Sequence, residues 1–385
     1  MKKTLIILLF FFTVKSAFPQ TSTVKISDLA VPSSPAFVIT DITPTLVQDP
    51  GTPKSFVLGV AQSFQKSGTG FPDNYSAEFA PYWWTDPRGR NIYKFLGLSS
   101  IVKNGKTTWR EDPAIGIKFT SISIAFINKD LIPDTSSSAQ KVFSLGVRST
   151  LIKLYQHDHA RQLGEKIAEW EKAAQEELSA NKSIIAKLAR LDPSDPNYEA
   201  NRMKILSSYK ESKTPDVFKE VNDLIAQKPV FSWDIAAAWA IYGINDQEIR
   251  TGRAGAWTTL SSYIPLSKNV PNNYFNINAS VRYLADNFQK SDRGIIGTAN
   301  NLDIGGNAGL ALNQLTIAIE SLYRYSNGIA NTQNRTVGII RVKVADNIYI
   351  NGIFGKDFAG PNKLISAFGL NWGFGKEQVS LPASL

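Results

Sequence analysis

The sequence predicts an all-β fold, a transmembrane antiparallel β-barrel of about twelve strands with one helical insertion. Three observations predict it. Apolar and polar residues alternate in segments of about ten residues, the length of a tilted membrane-crossing strand and about twice that of an average strand. Aromatic residues gather at segment ends, as interfacial girdles do: Tyr82, Trp83 and Trp84; Phe231 and Trp233; Tyr263; Tyr274 and Phe275; Trp372 and Phe374. Over the last third of the chain tight turns alternate with longer polar links, the asymmetry of bacterial barrels.

Composition narrows the alternatives. The 385 residues are 43% apolar and include no cysteine, which excludes disulfide scaffolds, thiolate metal sites and thiol catalysis. With 21 Phe, 13 Tyr and 8 Trp the chain is too aromatic for a solvated coil. Residues 1–20 read as a secretory signal peptide: Lys2 and Lys3, an apolar run from Leu5 to Phe12, then a cleavage zone between Ser16 and Gln20. Removing them takes away Lys2, Lys3 and Lys15, so the net charge drops from +9 to +6. That modest basic balance suits anionic lipid or solutes and does not call for nucleic acid.

Residues 21–53 form a Pro-rich leader containing Pro32, Pro35, Pro44, Pro50 and Pro53. The barrel's first part follows over 54–155, with alternating segments at 55–65, 74–84, 114–128 and 141–155. The third changes phase near Thr120, which reads as a bulge. The second part, 230–375, holds segments 230–243, 252–265, 274–287, 302–312, 315–326, 336–345, 347–358 and 364–375. In one of them Phe275, Ile277, Ala279, Val281, Tyr283 and Ala285 oppose Asn276, Asn278, Ser280, Arg282 and Asp286, with Leu284 breaking the pattern. Residues 376–385 are a polar tail.

Between the two parts, residues 156–229 switch to helical spacing. Leu163, Ile167, Trp170, Ala174, Leu178, Asn181, Ile185 and Leu188 recur every three or four residues up to Asp192-Pro193, where proline stops the helix. A second helix is expected over 197–212. A third starts at Thr214-Pro215-Asp216, with Thr as N-cap and Pro in the first turn. Strand parity puts this module at the periplasmic end, with the tight turns at Asn313–Gln314 and Asp346.

The polar faces carry charges of both signs, and these are the lumen candidates: Glu78, Arg148, Asp234, Arg282, Asp286, Glu320, Arg324, Arg341 and Lys343, together with Lys118 and Asp357. They read either as a salt-bridge network filling a narrow barrel or as an eyelet selecting solutes by charge. Arg324, Arg341 and Lys343, on adjacent segments, suggest a basic stripe. His157 and His159 are two apart and point away from each other on a helix, so neither a metal site nor a catalytic pair is expected. Gly305, Gly306 and Gly309 lack the Lys-Ser/Thr of a phosphate loop and read as small inward residues.

The run Ser34-Pro35-Ala36-Phe37 and the stretch from Asn74 to Trp83 resemble the opening of uncharacterised outer-membrane β-barrel proteins of Gram-negative bacteria. Gly255-Ala256-Trp257 and the segments from Gly352 to Phe358 and Gly369 to Gly375 are similar too. Many such barrels end in an aromatic residue, whereas here ten or so residues follow Phe374. The resemblance implies an outer-membrane location, contact with outer-membrane lipid and the barrel assembly machinery, and no activity. The first functional expectation is a narrow channel for small polar solutes, without cofactor or enzymatic chemistry. The alternative is an anchor whose periplasmic helical module, 156–229, binds a partner protein, with the leader plugging the lumen.

Overall fold

The computed structural model describes residues 23–25, 29, 31, 33–48, 51–63, 74–85, 90–129, 140–180, 182–192, 194–207, 214–244, 248–267, 273–290, 296–327, 332–345, 347–358, 364–375 and 377–380. The signal peptide, Pro32, Pro50, Pro193 and Asp346 lie outside them. Sixteen strands occur among the described residues. The first eight are β1 (Thr23–Lys25), β2 (Phe56–Ser63), β3 (Asn74–Phe79), β4 (Leu98–Lys103), β5 (Lys106–Glu111), β6 (Ser121–Lys129), β7 (Gln140–Leu154) and β8 (Phe231–Ile244). The rest are β9 (Glu248–Pro265), β10 (Asn273–Lys290), β11 (Ile296–Leu312), β12 (Leu315–Asn327), β13 (Gln333–Ala345), β14 (Ile348–Lys356), β15 (Leu364–Phe374) and β16 (Gln378–Ser380).

Twelve of them close an antiparallel barrel in the order β10-β11-β12-β13-β14-β15-β2-β3-β6-β7-β8-β9. These are the twelve alternating segments of the sequence. Closure leaves no sheet edge, which a lipid environment requires. The burial alternation along each strand has its apolar side outward. Ile277, Val281 and Tyr283 of β10, Leu302 and Ile304 of β11, and Ile317, Ile319 and Tyr323 of β12 are exposed, while Asn276, Asn278, Ser280 and Arg282 are buried. A wall that is apolar outside and polar inside is the transmembrane β-barrel pattern.

Strands β9, β10 and β11 run to 18, 18 and 17 residues, longer than their sequence segments, because their distal ends continue the ladder. The proximal end carries β1, β16, the turn after β11 and both large insertions. Within the tail Gln378–Ser380 form β16, which pairs with β1 through Thr23↔Ser380 and Lys25↔Gln378.

The phase change near Thr120 is not a bulge. A 3₁₀ helix, Ile115–Phe119, precedes β6 and ends at Thr120. Likewise the segment 74–84 splits into β3 and a 3₁₀ helix, Pro81–Trp84, that leaves the barrel. Tyr82 and Trp83 therefore belong to the proximal module, where Trp83 is buried against Phe95 and Phe119, and are not girdle residues. The hairpin β4–β5 is a feature the sequence reading did not foresee. Its turn at Asn104 and Gly105 has positive φ at both residues, the geometry of an Asn-Gly hairpin.

The helices are α1 (Pro35–Val38), α2 (Ile92–Leu96), α3 (His159–Ala180), α4 (Lys182–Leu188), α5 (Tyr198–Ser207) and α6 (Thr214–Ala226). Helix α3 packs on α6. In the apolar stripe Leu163, Ile167 and Trp170 are buried with Val221, Phe95 and Phe119, whereas Ile185 of α4 is exposed. The module thus joins residues 80–120 with α3 and α6 around one core, and a helix pair alone does not make it. His159 is buried and ties the pieces together: Nδ1 lies 2.5 Å from Glu111 Oε1, Nε2 lies 3.0 Å from the Leu224 carbonyl oxygen, and the ring stacks on Tyr155. His157, by contrast, is exposed.

Candidate functional site

The lumen is occupied by the chain's own leader. Residues 34–48 are buried throughout except Asp41, which is partly exposed, although they belong to no sheet. Ser34 caps α1, its Oγ accepting from Phe37 N at 3.3 Å, with Pro35 next in the chain. Helix α1 lies against β6, β7 and β8. There the wall is thin: Ala125, Ala236, Ala238 and Ala240 line it, and a Cβ on Gly146 would stand 2.7 Å from the Ala36 nitrogen. Gly369 plays the same part for Pro44, whose Cγ would be 2.8 Å from a Cβ there. Phe37, Val38, Ile39, Ile42, Leu46 and Val47 form an apolar core with these residues and with Trp257, Leu284 and Leu322. Leu284, the exception in its strand's alternation, faces inward because the leader gives it an apolar neighbour.

Polar side chains then fasten the leader's main chain. Ser123 Oγ accepts from Ala36 N at 3.1 Å, and Ser144 Oγ donates to the Ala36 carbonyl at 2.5 Å. The carboxylate of Glu320 accepts from Leu46 N at 3.1 Å and Val47 N at 2.9 Å. Arg335 Nη2 donates to the Pro44 carbonyl at 2.8 Å while its Nε reaches Glu320 at 3.3 Å. Trp257 Nε1 donates to Gln48 Oε1 at 2.8 Å. Buried polar groups need such partners, and here barrel wall and leader supply them to each other.

The densest point is Asp41, set just beyond α1 with a left-handed φ of 57°, a conformation that Asp and Asn tolerate. Its carboxylate accepts from Arg282 Nη2 at 2.7 Å, Arg324 Nη2 at 3.0 Å and Arg253 Nη1 at 3.2 Å. Arg282 and Arg324 also share Asp303, through Nε bonds of 2.8 and 2.7 Å, and Arg253 Nε reaches Asp286 at 2.9 Å. Three guanidinium groups thus face three carboxylates, and the count balances only with the leader's Asp41 in place. Arg324 further lies over the Phe358 ring, 3.8 Å from its centroid.

Of the sequence candidates, Arg282, Asp286 and Arg324 meet in this cluster, and Glu320 holds the leader on the neighbouring wall. Glu78 and Arg148 pair separately, Nε to Oε1 at 2.7 Å, with Ser121 donating to Glu78 at 2.5 Å. Asp234 accepts from Thr150 Oγ1 at 2.5 Å. Arg341 donates to Asn351 Oδ1 at 2.9 Å, and Lys343 is half-buried on the same face of β13. Asp357 accepts from Arg335 at 3.4 Å. Lys118 is exposed in the 3₁₀ helix and faces no lumen.

Two sequence readings need correction. Arg324 pairs across from Gln333 whereas Arg341 pairs across from Thr316, so they stand eight residues apart along the ladder, about 27 Å at ~3.4 Å per residue. They form no common basic stripe. Gly306, between buried Asn307 and inward Gly305, points outward, so only Gly305 and Gly309 face the interior.

Sequence reasoning missed Asp41, Arg253, Asp303 and Arg335. Arg253 and Asp303 were legible, since both fall on the polar phase of their segments, beside Gly255 and between Leu302 and Ile304. Arg335 lies one residue before the segment assigned to its strand. Asp41 carries no local signal, because its partners are 212 to 283 residues away.

No family model and no curated protein matches the chain. Among solved structures it is similar to the NanC porin, with 9% identity over 83% of this chain and 98% of that one and a TM-score of 0.32. It is also similar to the transport unit of the autotransporter AIDA-I from Escherichia coli, at 10% identity over 83% and 89% and a TM-score of 0.27. A third is Pseudomonas putida OprB, at 10% identity over 83% and 90% and a TM-score of 0.26.

Proposed function

We propose that the protein is an outer-membrane β-barrel whose lumen is held shut by its own leader, and that the barrel anchors the proximal module in the periplasm for a partner protein. The observation that carries this reading is the clamp of Asp41 by Arg253, Arg282 and Arg324. A lumen packed with an apolar core and a balanced charge cluster resembles a protein interior more than a pore. The proximal placement in the periplasm follows the usual orientation of bacterial barrels, whose short turns lie on that side. Nothing in this reading involves catalysis.

The narrow channel is the second reading, and one feature favours it. Withdrawing the leader would leave Arg253, Arg282 and Arg324 facing only Asp286 and Asp303, a net positive constriction suited to small anions. Planar-bilayer recording on the refolded full chain separates the two. The anchor reading expects stable insertion with a silent lumen, and discrete spontaneous openings would overturn it in favour of the channel.

A further inference from the structure

We infer that the cleft where the leader, β7 and the end of α6 meet at the proximal mouth is a binding site for an organic monoanion, a carboxylate carrying a short aliphatic chain. The argument starts from Lys153. It sits on the inward face of β7, one residue before the strand ends, and is only 8% exposed. Its ammonium has three hydrogens to donate, yet among the described residues its one hydrogen bond goes to a neutral group, Thr52 Oγ1 at 2.9 Å. The ring of Phe119 lies beneath it, 5.9 Å to the centroid. Among the described residues no carboxylate comes within ion-pair distance. Asp234, the acid whose charge it feels, is bonded to Thr150 instead.

Burying an ammonium is costly, and proteins ordinarily pair such a charge. Here a second cation adds to it. Lys228, on the link between α6 and β8, lines the same cleft close enough to repel Lys153, and it too has no ion-pair partner among the described residues. Two ammonium groups converging on one cavity define an anion site.

The walls specify the rest of the ligand. The cavity is about 90 Å³ and is lined on its other sides by Phe95, Ile115, Phe119 and Ile225. That space takes a charged head and a few methylenes, and its apolar lining favours an aliphatic chain over a bare inorganic ion. The carboxylate would accept from Lys153 and Lys228 while the chain lies against the phenyl rings.

The test is calorimetric titration of the detergent-folded full chain with hexanoate, acetate and hexylammonium. The inference expects saturable one-to-one binding of hexanoate, weaker binding of acetate and none of hexylammonium. Lys153→Met should weaken hexanoate by about tenfold or more, the usual effect of losing a charged hydrogen bond. Lys228→Met, at a half-buried position outside the strands, should weaken it by a smaller factor and guards against a Lys153 variant that fails to fold. Equal binding of hexanoate and hexylammonium would reduce the site to an apolar crevice. Undetectable hexanoate binding, or full affinity in both variants, would overturn the inference.

Discussion

Asp41 and Arg282 are 241 residues apart in the chain and meet at 2.7 Å inside the barrel. That contact joins the leader to the strand wall at the point where charge balance depends on both. Replacing Asp41 with Asn keeps the side chain's shape and its tolerance of a left-handed φ, so it removes charge alone. Breaking one side of a buried ion cluster costs about 3–5 kcal/mol. Asp41→Asn should therefore loosen the leader while the barrel stays folded. Protease cleavage within 29–48 and the appearance of anion-selective current are the readouts; an intact, silent variant would show that the charges are not what holds the leader.

Gly146→Leu tests the same seat without touching a charge. Its Cβ would meet the Ala36 nitrogen at 2.7 Å, and α1 has no room to retreat because Ser123 and Ser144 grip Ala36 from the wall. Overpacking of this kind costs about 1–3 kcal/mol. Leader protection against proteolysis should drop, whereas the heat stability of the barrel, read by its electrophoretic shift, should change much less.

The transmembrane reading predicts an asymmetry between two exposed isoleucines. Ile319, on the outer face of β12, is 63% exposed, and Ile101, on the β4–β5 hairpin, is 46% exposed. In water they would respond alike. In lipid, Ile319→Arg should cost up to about 2–4 kcal/mol, falling toward the interface. Ile101→Arg, outside the barrel, should stay within about 0.5 kcal/mol. Reversible folding into vesicles measures both, and equal small effects would speak for a barrel that never enters a bilayer.

In the proximal module Glu171 gives a pH prediction. Burial pushes its carboxyl above the usual range, against the opposing effect of the Tyr93 hydroxyl that donates to it at 3.1 Å. Its other oxygen is buried without a partner. A folded-state value above the unfolded one means the folded form binds the proton more tightly. The module is therefore favoured at low pH and loses that contribution as pH rises through the carboxylate range to the raised value. Glu171→Gln keeps an acceptor for Tyr93, should abolish the dependence, and should stabilise the module near neutrality by a few tenths of a kcal/mol once solvent screening is counted. Urea-dependent proteolysis of α3 across pH would measure it.

The strand number and the sidedness of the wall were legible in the sequence because both rest on a period of two, which survives without long-range information. Leu284 shows where that legibility ended. It looked like a fault in the alternation of β10, and only the leader's position explains it. The same holds for the alanines at 236, 238 and 240: strand phase put them inward, but nothing local says what they make room for. The proximal module was half visible. Leu163, Ile167 and Trp170 announced a helical stripe, while their partner Phe95 lies in a stretch with no period long enough to read and Phe119 reads as part of a strand. Lys153 was invisible as a site residue for a similar reason, since its surroundings come from the leader, β7 and α6 together.

Finally, the leader enters and leaves by the same mouth. Lys25 is paired with Gln378 at the proximal end, and Ser55, one residue before β2, donates its amide to the Glu377 carboxylate there at 2.9 Å. Between these two fixed points the chain goes up into the lumen and returns, so it is a loop pushed inside and not a thread drawn through. Seating it needs no free end and can follow completion of the barrel wall. The entropy of closing such a loop grows only as the logarithm of its length. Topologically the barrel and its filling are unlinked, and the filling could come out and go back without a single strand pair being broken.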